Sequence, residues 1–410
     1  MEDKALRKGL SVTAIVLIAI SALLLSFNNA NAELYGAEAS FYGLPFIAAF
    51  AVPLLMVLIL LTRFYNSTDT IEEMIAAIAV RYAVFGWFFI FMIVFVSALF
   101  KAFFGDFYAE HFSTIYLLMN SFNVCVIGTI VLSVMLRKLP VVKIEKRGMK
   151  FKQMFLLIMM MYGITQVGSM MGAPLDTILT LPSTINQSTD EFLKELQSNV
   201  IFSSNIFIRI ICVGILPAVF EELLFRKFMI DRTIRHGEFI SCAMSGIMFG
   251  LWHGNFQQFF YAFFVGVMFA FVYIRTGNII YTMILHASMN LVSSTITIEL
   301  VVRLFKLLGF DIDNGTVRNI DMNTMINTVL PFVLLLLLWL MVLLGFQIAG
   351  FVLIIKKRKN FKLVAREGEP PRKAILYKMT HSVEMWVFFA FAILLFVYSY
   401  LPDNLAAFFG

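Results

Sequence analysis

The chain has 410 residues, 60% of them hydrophobic and 14% charged, with a formal net charge of +6. A soluble domain carries about a quarter charged residues to keep its surface polar, so this composition excludes a water-soluble globule, and with it disorder, collagen and a coiled coil. The charged runs are short and lie between apolar runs of about twenty residues, which excludes a nucleic-acid binder and assigns the positive charge to membrane orientation.

A membrane-spanning helix needs about 20 predominantly apolar residues, and that template predicts an all-α polytopic membrane protein, a bundle of about eleven helices with a range of 9–11. In chain order the segments are 9–27, 42–62, 82–100, 115–136, 153–172, 201–222, 239–254, 256–274, 279–297, 328–355 and 384–401. The gaps between them leave no room for a soluble domain, so function belongs to the bundle and its short loops. Lys4, Arg7 and Lys8 precede the first segment, and Ala30-Asn31-Ala32 resembles a small-residue cleavage site. The apolar run is long for a signal peptide, and the expectation is an uncleaved helix. Cys125, Cys212 and Cys242 all lie in apolar runs without paired spacing, which argues against a disulfide framework or a thiolate metal site.

Short loops rich in Lys and Arg stay on the cytoplasmic side. Loop 137–152 holds seven bases and loop 356–378 holds nine, together half of the thirty-two in the chain. Loops 28–41 and 173–200 are acidic and read as external. Eleven spans then place the N-terminus in the cytoplasm and the C-terminus outside. Loop 63–75 fits poorly, because Arg63 is outnumbered by Asp69, Glu72 and Glu73.

An ionisable group at mid-membrane costs roughly 2.5 kcal/mol or more, so each one inside a span needs a reason. The unexplained ones cluster between residues 205 and 290. In Glu221-Glu222-Leu-Leu-Phe-Arg226, Glu222 and Arg226 are four apart and share a helix face, whereas Glu221 is rotated away and left free. Pro217 removes the backbone bond to residue 213 and is expected to loosen the helix one turn before the acids. The bland reading is a charged helix end at the interface. Phe249-Gly-Leu-Trp-His253 ends a segment whose Gly246 and Gly250 offer a small face for close packing, and its histidine alone reads as a structural hydrogen-bonding group. In His286-Ala-Ser-Met-Asn290 the imidazole and carboxamide share one face, and alone they read as interhelical polar glue.

Register changes the weighing. With the turn at His236-Gly237-Glu238, Glu221 and His253 each lie sixteen residues from Gly237 and are level in an antiparallel hairpin. His286 lies nine residues beyond Gly277 and matches that level if the charged 223–237 hairpin projects about 10 Å past the bilayer surface. A carboxylate, two imidazoles and a carboxamide then converge. A carboxylate held out of bulk water is a competent general base, and fixed N–H donors can stabilise an oxyanion. Glu221, His253 and His286 are equally a His/His/Glu set for catalytic Zn, and the residues do not choose between the two. No H-E-x-x-H occurs.

These three motifs, E-E-x-x-x-R at 221–226, F-x-x-x-H at 249–253 and H-x-x-x-N at 286–290, resemble in order and depth those of the CPBP family. That family comprises the CAAX-processing and bacteriocin-processing intramembrane proteases and includes the Rce1-type prenyl endopeptidases. The resemblance implies that Glu221 activates the attacking water with help from His253, that His286 and Asn290 form the oxyanion hole, and that Glu222, Arg226 and Phe249 support the site. It implies a catalytic core over 151–300, between N-terminal helices at 1–150 and additional C-terminal helices at 301–410. The expected substrate is a membrane-associated or hydrophobic peptide, reached from membrane lipid, with the site open to the cytoplasm of a bacterial plasma membrane. The family has been described both as zinc-dependent and as metal-free and glutamate-dependent, so Zn stays open. A non-catalytic immunity or regulatory protein retaining the fold is the alternative, and a secondary transporter is a third reading that predicts internal pseudo-symmetry.

Overall fold

The computed structural model describes residues 2–35, 53–184, 199–311, 316–366 and 368–409. Twelve helices carry the architecture: α1 (Glu2–Tyr35), α2 (Pro53–Phe64), α3 (Ile71–Glu110), α4 (Phe112–Leu136), α5 (Phe151–Thr184), α6 (206–236), α7 (Glu238–Trp252), α8 (Phe256–Thr276), α9 (Ile279–Leu307), α10 (Met322–Asn360), α11 (Arg372–His381) and α12 (Val383–Phe409). The sheet content among the described residues is one two-residue antiparallel pairing, Phe310–Asp311 with Thr316–Val317. The protein is an all-α polytopic membrane protein, as the composition required.

Local sequence explains where the helices begin and end. Thr70 and Glu73 form a capping box at the start of α3, and Asn255 and Asn278 cap α8 and α9 through their side-chain oxygens. Two of the five glycines at positive φ among the described residues shape the turns around the central hairpin. Gly237 (φ 120°) joins α6 to α7, and Gly277 (φ 57°) ends α8 in the left-handed region.

Seven helices among the described residues, α3, α4, α5, α8, α9, α10 and α12, are long and apolar enough to cross a membrane. Helix α1 runs for 34 residues. The remaining predicted segments are also helical, but α2 and α7 are short apolar helices and α6 is interrupted by two π-helical turns, Ile210–Ile215 and Leu223–Phe228. Positions 42–52 of the second predicted segment lie outside the described residues.

The α6–α7 hairpin sits at the centre. On one side Leu224, Phe225, Met244, Met248 and Phe249 pack against α3 and α12, while α5, α8 and α9 form a second core around Met161, Phe269 and Leu285. Helix α10 crosses α5 with backbones in contact, since a Cβ at Gly350 would lie 1.8 Å from the Met159 carbonyl and one at Gly163 would lie 2.4 Å from the Phe351 nitrogen. The expected small face of α7 packs on α8, where a Cβ at Gly250 would stand 2.9 Å from the Phe259 carbonyl.

The loops after α2, α4, α6, α8 and α10 gather at one end. His236 Nε2 lies 2.8 Å from the Thr68 carbonyl, Val142 N–H donates to Asp231, Arg147 N–H donates to Thr276, and Val364 N–H donates to the Glu238 carboxylate. Arg7 lies over the Tyr65 ring at the same end, while Phe256 and Asp176 meet Tyr400 elsewhere. This alternation puts both base-rich loops on one side. It also explains the acidic loop 63–75, whose carboxylates pair with bases from its neighbours: Asp69 with Arg235, and Glu72 with Lys378.

The charged 223–237 hairpin is covered by protein. Asp231 and Arg232 are buried, because Asp231 takes Lys227 (2.6 Å) and the Tyr273 hydroxyl (2.7 Å), and Arg232 donates to the carbonyls of Leu136 and Phe228. The two basic loops roof it.

Gly350→Ala should destabilise the protein by about 1–3 kcal/mol through overpacking at the α5–α10 crossing. Gly345→Ala, with nothing within 4 Å of the added Cβ, should be neutral or slightly stabilising. Thermal unfolding of both variants in detergent checks the contrast, and equal melting temperatures would contradict the contact.

Candidate active site

Three helices deliver the motif residues. Glu221, Glu222 and Arg226 lie on α6, Phe249 near the end of α7 with His253 as its C-cap, and His286 and Asn290 on α9. Glu222 and Arg226 face each other as their four-residue spacing dictates, with Arg226 Nε 3.2 Å from Glu222 Oε2 and both side chains fully buried. The contact is an ion pair without hydrogen-bond alignment, and none of the three guanidinium nitrogens finds an acceptor among the described residues.

Aromatic rings hold the guanidinium in place. Its carbon lies 4.2 Å from the centroid of Phe249 and 5.3 Å from that of Phe269. A desolvated cation over an aromatic face gains about 2 kcal/mol, which gives the phenylalanine of F-x-x-x-H a physical role. The same ring is edge-to-face with both imidazoles, at 5.0 Å from His253 and 5.8 Å from His286. Phe249 therefore links the α6 ion pair to the histidines of α7 and α9.

His286 spans the two glutamates. Its Nδ1 is 3.0 Å from Glu222 Oε1 and its Nε2 is 3.8 Å from Glu221 Oε2. Glu222 is fixed by Arg226, while among the described residues Glu221 has no ion partner beyond this long approach and keeps 16% of its side chain exposed. A gap of 3.8 Å is too long for a direct hydrogen bond and raises the question of a water between the groups. His253 Nδ1 lies 2.9 Å from the Phe249 carbonyl, and no hydrogen bond or ion pair joins it to Glu221 among the described residues.

Asn290 has a partner that the sequence did not reveal. Its Nδ2 donates to the Val213 carbonyl at 3.1 Å. The chain is in π register just before Pro217, with Leu216 N–H donating to the Ile211 carbonyl, so the carbonyl next in line for residue 217 is that of Cys212, which accepts from Ser121 Oγ at 3.1 Å; Asn290 adds a second tie between helices one residue on. The second π turn behaves alike: the carbonyls of Leu224 and Phe225 accept from the hydroxyls of Tyr82 on α3 and Ser245 on α7. Tyr82, Ser245 and Phe269 were not singled out by motif. Their only signal was a polar or aromatic residue within an apolar run, a signal shared with many other positions.

The expected ligand set does not fit a zinc ion in this arrangement. Among the described residues no three His, Cys, Asp or Glu side chains come together to hold a metal, and both nitrogens of His286 face carboxylates of α6.

Residues 203–292, which run from just before α6 through all three motifs, match the family model described as Type II CAAX prenyl endopeptidase Rce1-like. The match is consistent with the CPBP/CAAX protease family. No curated protein and no solved structure matches the chain.

Arg226→Met should destabilise the fold by about 3–5 kcal/mol, because it strands the Glu222 carboxylate in a buried site. The double variant Glu222→Gln/Arg226→Met should recover much of that loss. Equilibrium unfolding of the two variants in one detergent checks this, and a double variant no better than the single would contradict the pairing.

Proposed function

We propose that this protein is a CAAX-type intramembrane endopeptidase that hydrolyses a peptide bond of a membrane-associated substrate, with Glu221 as general base. The observation that carries the reading is the division of labour between adjacent carboxylates: Glu222 is locked by Arg226 and His286, whereas Glu221 faces an imidazole across a gap and is left without a close ion partner among the described residues. The family match over 203–292 supports the reaction class.

Glu222, held as a carboxylate beside Arg226, accepts the Nδ1–H of His286, so in the neutral imidazole Nε2 carries the lone pair. A water seated between Glu221 and Nε2 donates one hydrogen to each. Glu221 takes the proton as the water oxygen bonds to the scissile carbonyl carbon, and the carbonyl oxygen becomes an oxyanion. The Asn290 amide, anchored through one N–H to Val213, has a second N–H to offer that oxyanion. The proton on Glu221 then passes to the leaving nitrogen as the C–N bond breaks. This reading moves His286 from oxyanion donor to water holder. His253, with Nδ1–H tied to the Phe249 carbonyl, also presents a lone pair at Nε2 and assists the water.

The site then works on the side where the basic loops gather, and by their charge that side is cytoplasmic. Glutamate chemistry of this kind proceeds without Zn.

Glu221→Gln should lower peptide cleavage by about 10²–10⁴-fold with an unchanged melting temperature, the loss expected for a general base. Retained cleavage by that variant in purified form would sink the mechanism. Elemental analysis alongside the activity assay should find full activity without stoichiometric zinc, and loss of activity on metal removal would overturn the metal-free reading.

A further inference from the structure

At the end of the bundle where the basic loops gather, a cavity of about 560 Å³ opens between the C-terminal ends of α2 and α4. It lies apart from the motif residues. Four cations line it, Arg63, Arg81, Arg137 and Lys138, and no carboxylate does. Among the described residues none of the four makes an ion pair.

Arg81 is the buried member, at 2% exposure. All of its hydrogen-bond acceptors among the described residues are neutral oxygens: the carbonyls of Thr62, Tyr65, Ala77 and Met135, and the Asn66 side chain. Carbonyls at the C-terminal ends of α2 and α4, those of Thr62 and Met135, offset part of its charge, as a helix dipole does. Arg63, Arg137 and Lys138 are exposed at the C-terminal ends of α2 and α4, and none has a carboxylate partner among the described residues. The pocket is therefore a concave positive site around a buried guanidinium, which is more than topology-setting charge scattered along loops.

What lies beneath the pocket identifies its occupant. Val134, which lines it, and Ile130 one turn deeper on α4 are more than half exposed, and Ile59 and Leu60 on α2 are exposed as well. These are large apolar side chains on helices of a membrane protein, so this surface meets lipid tails. A molecule that places an anion among the four cations and hydrocarbon along α2 and α4 fits both surfaces. Basic pockets between helices at this side of a membrane take phosphate-bearing headgroups.

We propose that this pocket is a binding site for an anionic phospholipid, with the phosphate held by Arg63, Arg137 and Lys138 over Arg81 and the acyl chains along Ile59, Leu60, Ile130 and Val134. The lipid supplies the counter-charge that the protein does not, and it ties the ends of α2 and α4 together.

The test is lipid retention by the full chain in detergent, read by native mass spectrometry. Wild type should retain phosphatidylglycerol over phosphatidylcholine. The triple variant Arg63→Gln/Arg137→Gln/Lys138→Gln should weaken phosphatidylglycerol retention on the order of 100-fold, as expected for three cations removed near a membrane surface. Lys138→Arg should keep it. Equal retention by the triple variant, or equal retention of the two lipids by wild type, would overturn the proposal. Inorganic phosphate that displaced the lipid at equal concentration would make this a free-anion site, and the lipid assignment would fall.

Discussion

The site depends on one buried cation. Arg226 is fully buried and has no aligned hydrogen-bond acceptor among the described residues, so it is held by the Glu222 carboxylate and by the faces of Phe249 and Phe269. A guanidinium is planar and weakly hydrated, which suits it to such a place better than an ammonium. Because Phe249 comes from α7 and Phe269 from α8, the cation fixes the rotation of α6 against both. Once Arg226 claims Glu222, the neighbouring Glu221 is rotated out of the pair and faces His286.

The same helix accommodates two departures from α geometry. Around Pro217 and the π turns, backbone carbonyls accept from side chains of other helices: Cys212 from Ser121, Val213 from Asn290, Leu224 from Tyr82 and Phe225 from Ser245. Within a bilayer no water is at hand to satisfy such groups, so every irregularity needs a polar partner nearby. The polar residues of α3, α7 and α9 therefore serve both as anchors for α6 and as its neighbours at the site. Asn290 has a structural duty toward Val213 and one N–H left for chemistry.

Charge organises the opposite scale of the molecule. The roofed hairpin, the two basic loops and the acidic loop 63–75 compensate one another in a layer at one end, through Asp231, Arg232, Glu238 and Asp69. The exception is the cavity at Arg63, Arg81, Arg137 and Lys138, where cations collect without acids. Apolar surface exposed along α10 and α4 meets lipid and not solvent.

Much of this was legible in the chain itself. The apolar runs predicted the helices, the basic loops predicted a common side, and the order of the three motifs identified the region that matches the protease family. Spacing of four put Glu222 with Arg226, because contacts within one helix follow from its 3.6-residue period. What the sequence determined is thus whatever depends on length, hydropathy and local period. Tertiary structure decided which imidazole approaches Glu221 and why Asn290 is anchored. Those outcomes depend on how separate helices rotate, tilt and adjust around π turns, and no single segment encodes the position of its neighbour.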